Sequence, residues 1–273
     1  MRERIPVVVQ RSARGRRVAA RGLWVGAELV VTLGVVLLLL VVHQLWWTNR
    51  QARAGAEHQV RALEREWGQQ RGQERGDAGG AGSAGNAGDG DSGGGAGGSG
   101  GAGASGGAGG RPAGGGAGGS APRWDQAYAV IRIPRLGLVA PVAQGVGKSG
   151  VLDKGYVGHY PGTAQPGRAG NFALAGHRNT HGEPFRYINR LRRGDRIGIE
   201  TRDAVYTYTV DRTLARTSPR DGGVIAAVPR SNAKPYTGYT EAGSYVTLTT
   251  CTPEFTSRYR LVVWGKLVDV RSR

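Results

Sequence analysis

One cysteine occurs in the 273-residue chain, Cys251, set in Thr247-Leu248-Thr249-Thr250-Cys251-Thr252-Pro253. Downstream, Arg260 opens the apolar run Leu261-Val262-Val263-Trp264. A lone thiol in an exported protein has no partner for an internal disulfide, so it is either incidental or a reagent. Strand, cysteine, turn, arginine and strand can bring a thiol and a guanidinium to one site. His177 ends the run Gly170-Asn171-Phe172-Ala173-Leu174-Ala175-Gly176. A strand that stops in glycine and presents a histidine at its edge is a usual place for a catalytic group. A thiolate needs a base or a cation to make it accessible, and acyl transfer needs a donor for the developing oxyanion. Cys251, His177 and Arg260 supply those parts.

Thr250, His181 and Arg258 are expected to bind the substrate, and Arg258 also competes with Arg260. Arg258 has the parity of Arg260, so an extended strand would turn both to one face. His181 follows His177 in the same loop and is expected to line or cap the site. Thr250 can hydrogen-bond beside the nucleophile, or serve only as a β-branched strand residue. His159, in Gly-His-Tyr-Pro-Gly, reads as a structural or groove residue. One cysteine and dispersed histidines give no metal-ligand spacing, so neither a metal nor a cofactor is expected.

The elements that must position these groups lie in the second half. From Trp124 to Arg273 the composition becomes globular, enough for one core. Strand-like runs, bounded by Gly, Pro or Asp, fall at 129–133, 171–175, 196–200, 204–214, 245–250 and 260–270. A short helix is expected at 184–191, with Pro184 in its first turn. The stretch 218–242 reads as a long loop beside the site, with at most one helical turn. The expected class is mainly β, a closed or partly closed barrel with short helices.

The first half has other purposes. Residues 29–47 are almost uninterrupted apolar sequence ending in Trp46 and Trp47, and about 19 residues suffice to cross a bilayer as a helix. The run is too long for a typical cleaved signal, and no small-x-small site follows it. The basic segment 1–28 is expected in the cytoplasm and the remainder outside, giving a single-pass membrane protein. Residues 48–75 are charged, with Ala56, Val60, Leu63 and Trp67 at helical spacing. Four positions fall short of a sustained heptad pattern, so a solvated stalk is expected rather than a continued helix or a coiled coil. Residues 76–122 are nearly all Gly, Ala and Ser and cannot offset their chain entropy by burial, so a disordered linker is expected. Such a chain of about 47 residues spans roughly 35 to 40 Å. The folded domain is then 123–273. The net charge of +17 fits membrane topology and attraction to anionic lipid or wall polymers. No groove-reading motif or aromatic–basic platform points to nucleic acid.

The combined motifs resemble the sortase family. They are Thr-Leu-Thr-Thr-Cys251, Arg260 before an apolar strand, Ala-Gly-His177, Ile131-Arg132-Ile133-Pro134 with Leu136-Gly137, and His159-Tyr160-Pro161-Gly162-Thr163-Ala164. Cys-Thr-Pro and His-Arg-Asn-Thr-His-Gly-Glu-Pro-Phe are most similar to the class E, housekeeping-type sortases of high-GC Gram-positive bacteria. The resemblance covers 124–273. It implies an eight-stranded β-barrel and a cysteine transpeptidase, with Cys251 as nucleophile, His177 as acid and base, and Arg260 as oxyanion donor. It implies cleavage between Thr and Gly of a C-terminal sorting signal, Leu-Ala-x-Thr-Gly or Leu-Pro-x-Thr-Gly. The product would be joined to an amine on a peptidoglycan precursor of the lipid II type, or to a pilin lysine. Some sortases use calcium, but no matching acidic cluster is present. Other readings stay open at this level: an L,D-transpeptidase, a plain thiol protease, or a non-catalytic wall-binding module with a buried thiol.

Overall fold

The computed structural model describes residues 13–80 and 122–273. The first residues of the basic N-terminus and nearly all of the Gly/Ala/Ser linker lie outside the described residues. Eight strands close into one barrel in the order β1-β2-β3-β4-β7-β8-β6-β5. They are β1 (Ala127–Ile133), β2 (Leu138–Gln144), β3 (Val157–His159), β4 (Gly170–Ala175), β5 (Arg196–Glu200), β6 (Ala204–Thr217), β7 (Ser244–Thr252) and β8 (Tyr259–Ser272). Closure leaves no barrel edge unpaired. The β2/β3 and β4/β7 pairs are parallel and the others antiparallel.

Inward-facing residues make the core. Ile131, Ile133, Phe172, Leu174, Ile197, Ile199, Val246, Leu248 and Val263 are buried together. Each such side chain contributes about 1.5–3 kcal/mol by leaving water. Six strands coincide with the apolar runs of the sequence. β2 and β3 do not stand out in it. β2 contains Pro141, which argues against a central strand. The fold tolerates it because β3 pairs only from Val142 onward, so Pro141 lies where β2 has β1 alone as its partner. Residues 184–187 form turns followed by a 3₁₀ turn at Ile188–Arg190, in place of the expected short helix.

His159 is fully buried at the end of β3. Its Nδ1 lies 2.8 Å from the Tyr128 hydroxyl and its Nε2 3.1 Å from the Ala164 carbonyl. A neutral ring with its proton on Nε2 satisfies both contacts. Desolvation pushes its pKa down to about 4. It is a structural knot between β1 and the loop before β4.

A single helix, α1 (Ala13–Gly80), runs from before the apolar segment into the start of the expected linker. Over 29–42 its large apolar side chains are exposed, as a lipid-facing helix requires. Beyond the apolar segment the arrangement differs from the solvated stalk that the sequence suggests. Ala56, Val60, Leu63 and Trp67 are buried, and the last three pack with Ala127, Val130, Ala143 and Val151. The stripe is too short for a coiled coil, yet it covers one patch of the outer barrel wall. A stripe read without its partner cannot distinguish water from a docking surface.

Candidate active site

β7 and β8 pair antiparallel, with Cys251 directly opposite Arg260. Facing residues of an antiparallel pair project to the same side, so this register alone places thiol and guanidinium together. Both line an open cavity of about 770 Å³, which His177 also lines. Arg260 Nη1 donates to the carbonyls of Ser257 and Tyr259, tethering the guanidinium to its own loop.

The end of β4 is tied to β7 rung by rung. Thr249 Oγ1 donates to the Leu174 carbonyl at 3.0 Å, and Thr250 Oγ1 to the Gly176 carbonyl at 2.8 Å. Thr250 is therefore buried in a bond that joins the cysteine strand to the histidine strand. Gly176 has a steric reason: a Cβ there would lie 2.7 Å from the ring of buried Phe185. The glycine lets Phe185 close beneath the loop, and the Phe185 amide donates to the His177 carbonyl at 3.0 Å.

His177 Nε2 donates to Oδ1 of Asp153 at 2.8 Å. Asp153 comes from the 3₁₀ turn Leu152–Lys154, between β2 and β3. A carboxylate bonded to one ring nitrogen fixes the tautomer and the ring orientation. His181 sits behind this pair, its ring centroid 5.4 Å from that of His177 and its Nδ1 3.6 Å from the Asp153 carboxylate. His181 does not line the cavity among the described residues. Asp153, His177 and His181 do bring three ligand atoms within 4.8 Å of one another. No sequence spacing reveals this, because the aspartate belongs to another segment. Here the shared oxygen serves the His177 hydrogen bond.

Two further expectations need correction. Arg258 is exposed and stacks on the Tyr259 ring at 5.4 Å, away from the cavity lining. β8 begins at Tyr259, so strand parity does not extend to Arg258. The 218–242 loop does contain one 3₁₀ turn, Gly222–Ile225, but none of its residues lines the cavity. It packs on the outer face of the barrel, where Val224 joins Tyr245 and Trp264. Asp221 ties this loop together, accepting from Thr217, Ser231 and the Asn232 amide.

Sequence reasoning missed Asp153 and Arg178. Arg178 is buried and donates through Nη1 to the Cys251 carbonyl at 3.2 Å and the Thr252 hydroxyl at 2.9 Å. It anchors the end of the cysteine strand from the histidine loop. Its place beside His177 was the only available signal. With Lys148 and Arg260 it makes the cavity cationic, and no Asp or Glu among the described residues lines it. Cys251 is partly exposed, unlike the buried thiol of an inert structural cysteine.

Comparison with known proteins bears on the same region. The family model described as Sortase domain matches residues 131–268. The chain is 39% identical over 277 aligned residues to Sortase SrtE1 of Streptomyces coelicolor, covering 98% of this chain and 64% of SrtE1. It is 32% identical to Sortase SrtE2 of the same organism, covering 93% of this chain and 87% of SrtE2. The chain thus spans less than two thirds of the length of SrtE1. Among solved structures, Sortase E1 from Streptomyces coelicolor with a tripeptide in the active site superimposes with a TM-score of 0.52 at 51% identity, over 55% of this chain and 92% of that one.

Proposed function

The chain belongs to the sortase family, and from that premise we propose that it is a membrane-anchored cysteine transpeptidase acting on C-terminal sorting signals. The observation that carries the proposal is the Cys251–Arg260 register, with His177 on the same cavity. Sulfur attacks the carbonyl of the signal's threonine, and the negative charge passes to its oxygen. Arg260 stabilises that oxyanion. His177 gives a proton to the departing glycine amine, and the Thr–Gly bond breaks to leave a thioester on Cys251. An incoming amine on a peptidoglycan precursor loses a proton to His177 and attacks the thioester. The thiolate leaves, and a new amide joins the surface protein to the precursor. Asp153 keeps the His177 ring in one orientation through both transfers.

A peptide substrate is supported by the tripeptide in the related active site. The half-exposed thiol opposes the wall-binding module with a buried cysteine. Leu-Ala-x-Thr-Gly follows from similarity to sortase E proteins, with Leu-Pro-x-Thr-Gly as its competitor. The apolar 29–42 segment supports single-pass anchoring, with the basic end inside and the barrel outside.

The test is mass spectrometry of the full chain in lipid nanodiscs with each signal peptide and a glycine-based amine. A threonyl thioester on Cys251 and a Thr–amine product are expected. Cys251→Ala and His177→Ala should each lower turnover at least a thousandfold. Hydrolysis alone, unaffected by added amine, would make the protein a thiol protease instead. No adduct with either peptide, on a thiol that alkylates normally, would refute the proposed acyl donor.

A further inference from the structure

We propose that Asn49 and Arg53, on the helical turns that follow the membrane segment, are positioning residues that hold the histidine loop of the barrel in its working geometry. The inference rests on the transpeptidase reading and adds residues to it that lie far from Cys251 in sequence.

The loop after His177 has an uncommon backbone shape. His181, Gly182 and Glu183 have φ of +51°, +82° and +54°. Two of these are side-chain-bearing residues in the left-handed region, a conformation that persists only when surroundings impose it. Those surroundings belong to α1. Asn49 Oδ1 accepts from the Gly182 amide at 3.2 Å, while its Nδ2 donates to Glu183 Oε1 at 2.8 Å. Arg53 donates through Nε to the Gly182 carbonyl at 3.1 Å and through Nη2 to Glu183 Oε2 at 3.0 Å. Residues 49 and 53 are one turn apart on a single helix face. Together they satisfy both polar groups of Gly182 and both oxygens of the Glu183 carboxylate. That carboxylate is only 4% exposed, and its other partner is Arg186. A buried charge must be paired, so Glu183 pulls the helix and the loop together.

The same stretch of helix also seats the partner of His177. A Cβ at Gly155 would lie 2.9 Å from the Ala52 carbonyl and 3.2 Å from that of His181. Gly155 caps the turn that carries Asp153. Leu152, in that turn, packs against the cluster that Val60, Leu63 and Trp67 form with the barrel wall, and it also lines the catalytic cavity. Both ends of the 2.8 Å His177–Asp153 bond therefore rest on segments held by α1. The anchor does more than tether the barrel: docking of its outer half sets the acid–base pair.

The experiment uses the full chain in nanodiscs. It compares wild type with Asn49→Ala, Arg53→Ala, the double variant, Arg53→Lys and the exposed control Arg61→Ala. Hydrogen exchange should quicken at 177–186 in the double variant and stay unchanged in β6 and β8. kcat should fall roughly ten- to a hundredfold with little change in KM, because a small misplacement of a catalytic group costs about that much. The pH profile of Cys251 alkylation should move toward that of His177→Ala. Arg53→Lys keeps the charge but loses the fork and should recover only part of kcat; Arg61→Ala should match wild type. Should the double variant fail to fold, Arg53→Lys alone carries the exchange and kcat comparison. Wild-type exchange, kcat and alkylation profile in the clamp variants would overturn the proposal. If wild type turns over neither signal peptide, the transpeptidase reading fails while exchange and alkylation still decide the clamp.

Discussion

The two halves of the catalytic site are built by different means. Cys251 and Arg260 face each other because β7 and β8 pair in one register, held by a continuous backbone ladder. His177 ends β4, but its partner Asp153 and the fixed turn 181–183 arrive from other segments, held by side-chain bonds from α1. A ladder distributes the cost of misplacement over many backbone bonds. A loop held by a few side chains depends on each of them. The strand-built half should therefore resist change at its periphery, and the contact-built half should yield to it.

The sharpest test of the ladder is chemical. Arg260→Ala removes the proposed oxyanion donor and should lower kcat by about 10²–10³, read in the amine-transfer assay. Arg258→Ala, outside the strand and stacked on Tyr259, should change kcat by less than about twofold. A larger loss at Arg258 would mean that the β7–β8 register does not choose the functional cation.

The next test breaks the contact-built half from a distance. Trp67 is 4% exposed in the cluster between α1 and the barrel wall. Trp67→Ala leaves a cavity there and should weaken helix docking by about 3–5 kcal/mol, seen as faster hydrogen exchange across 55–70. Exchange in 177–186 should rise with it, whereas β7 and β8 should keep their protection. Equal loosening of both halves would erase the distinction between them.

The comparison also explains what the sequence could disclose. Six strands, the thiol, the arginine and the histidine were legible because β-branched or aromatic runs bounded by Gly, Pro or Asp, and strand ends, are local signals. β2 was hidden by Pro141, and β3 by its three-residue length. Asp153 and Arg178 left no local signal, since their roles exist only once distant segments meet. The stripe at 56, 60, 63 and 67 was visible, but the wall it covers is formed by residues 127–151. β8 begins at Tyr259, so strand parity, which holds only inside the strand, does not itself place Arg258 beside Arg260.

A third test concerns the barrel itself. His159 has its pKa pushed down to about 4 by burial, against about 6.5 in the unfolded chain. Between these values the unfolded state binds a proton that the native state refuses, so stability rises with pH across the window. It is fully present above pH 6.5 and is lost as pH falls through 4, by roughly 3 kcal/mol in all. Denaturant melts at pH 7, 5.5 and 4 measure it, and His159→Gln should flatten this part of the slope. An unchanged slope would place the acid sensitivity elsewhere in the barrel.

The smallest expected effect probes the joint between the two halves. Asp153→Asn keeps an oxygen able to accept from His177 Nε2 but removes the negative charge beside the ring. kcat should fall about tenfold, roughly 1.4 kcal/mol, with KM nearly constant, because orientation survives and only the electrostatic share is lost. The loss should add to that of Arg260→Ala, since the two residues act on different atoms through different supports. It should not add to the loss from the Asn49/Arg53 double variant, which already disturbs the same pair. A double-mutant cycle on kcat separates these cases, and additivity with the helix variants would show that Asp153 and α1 act on His177 independently.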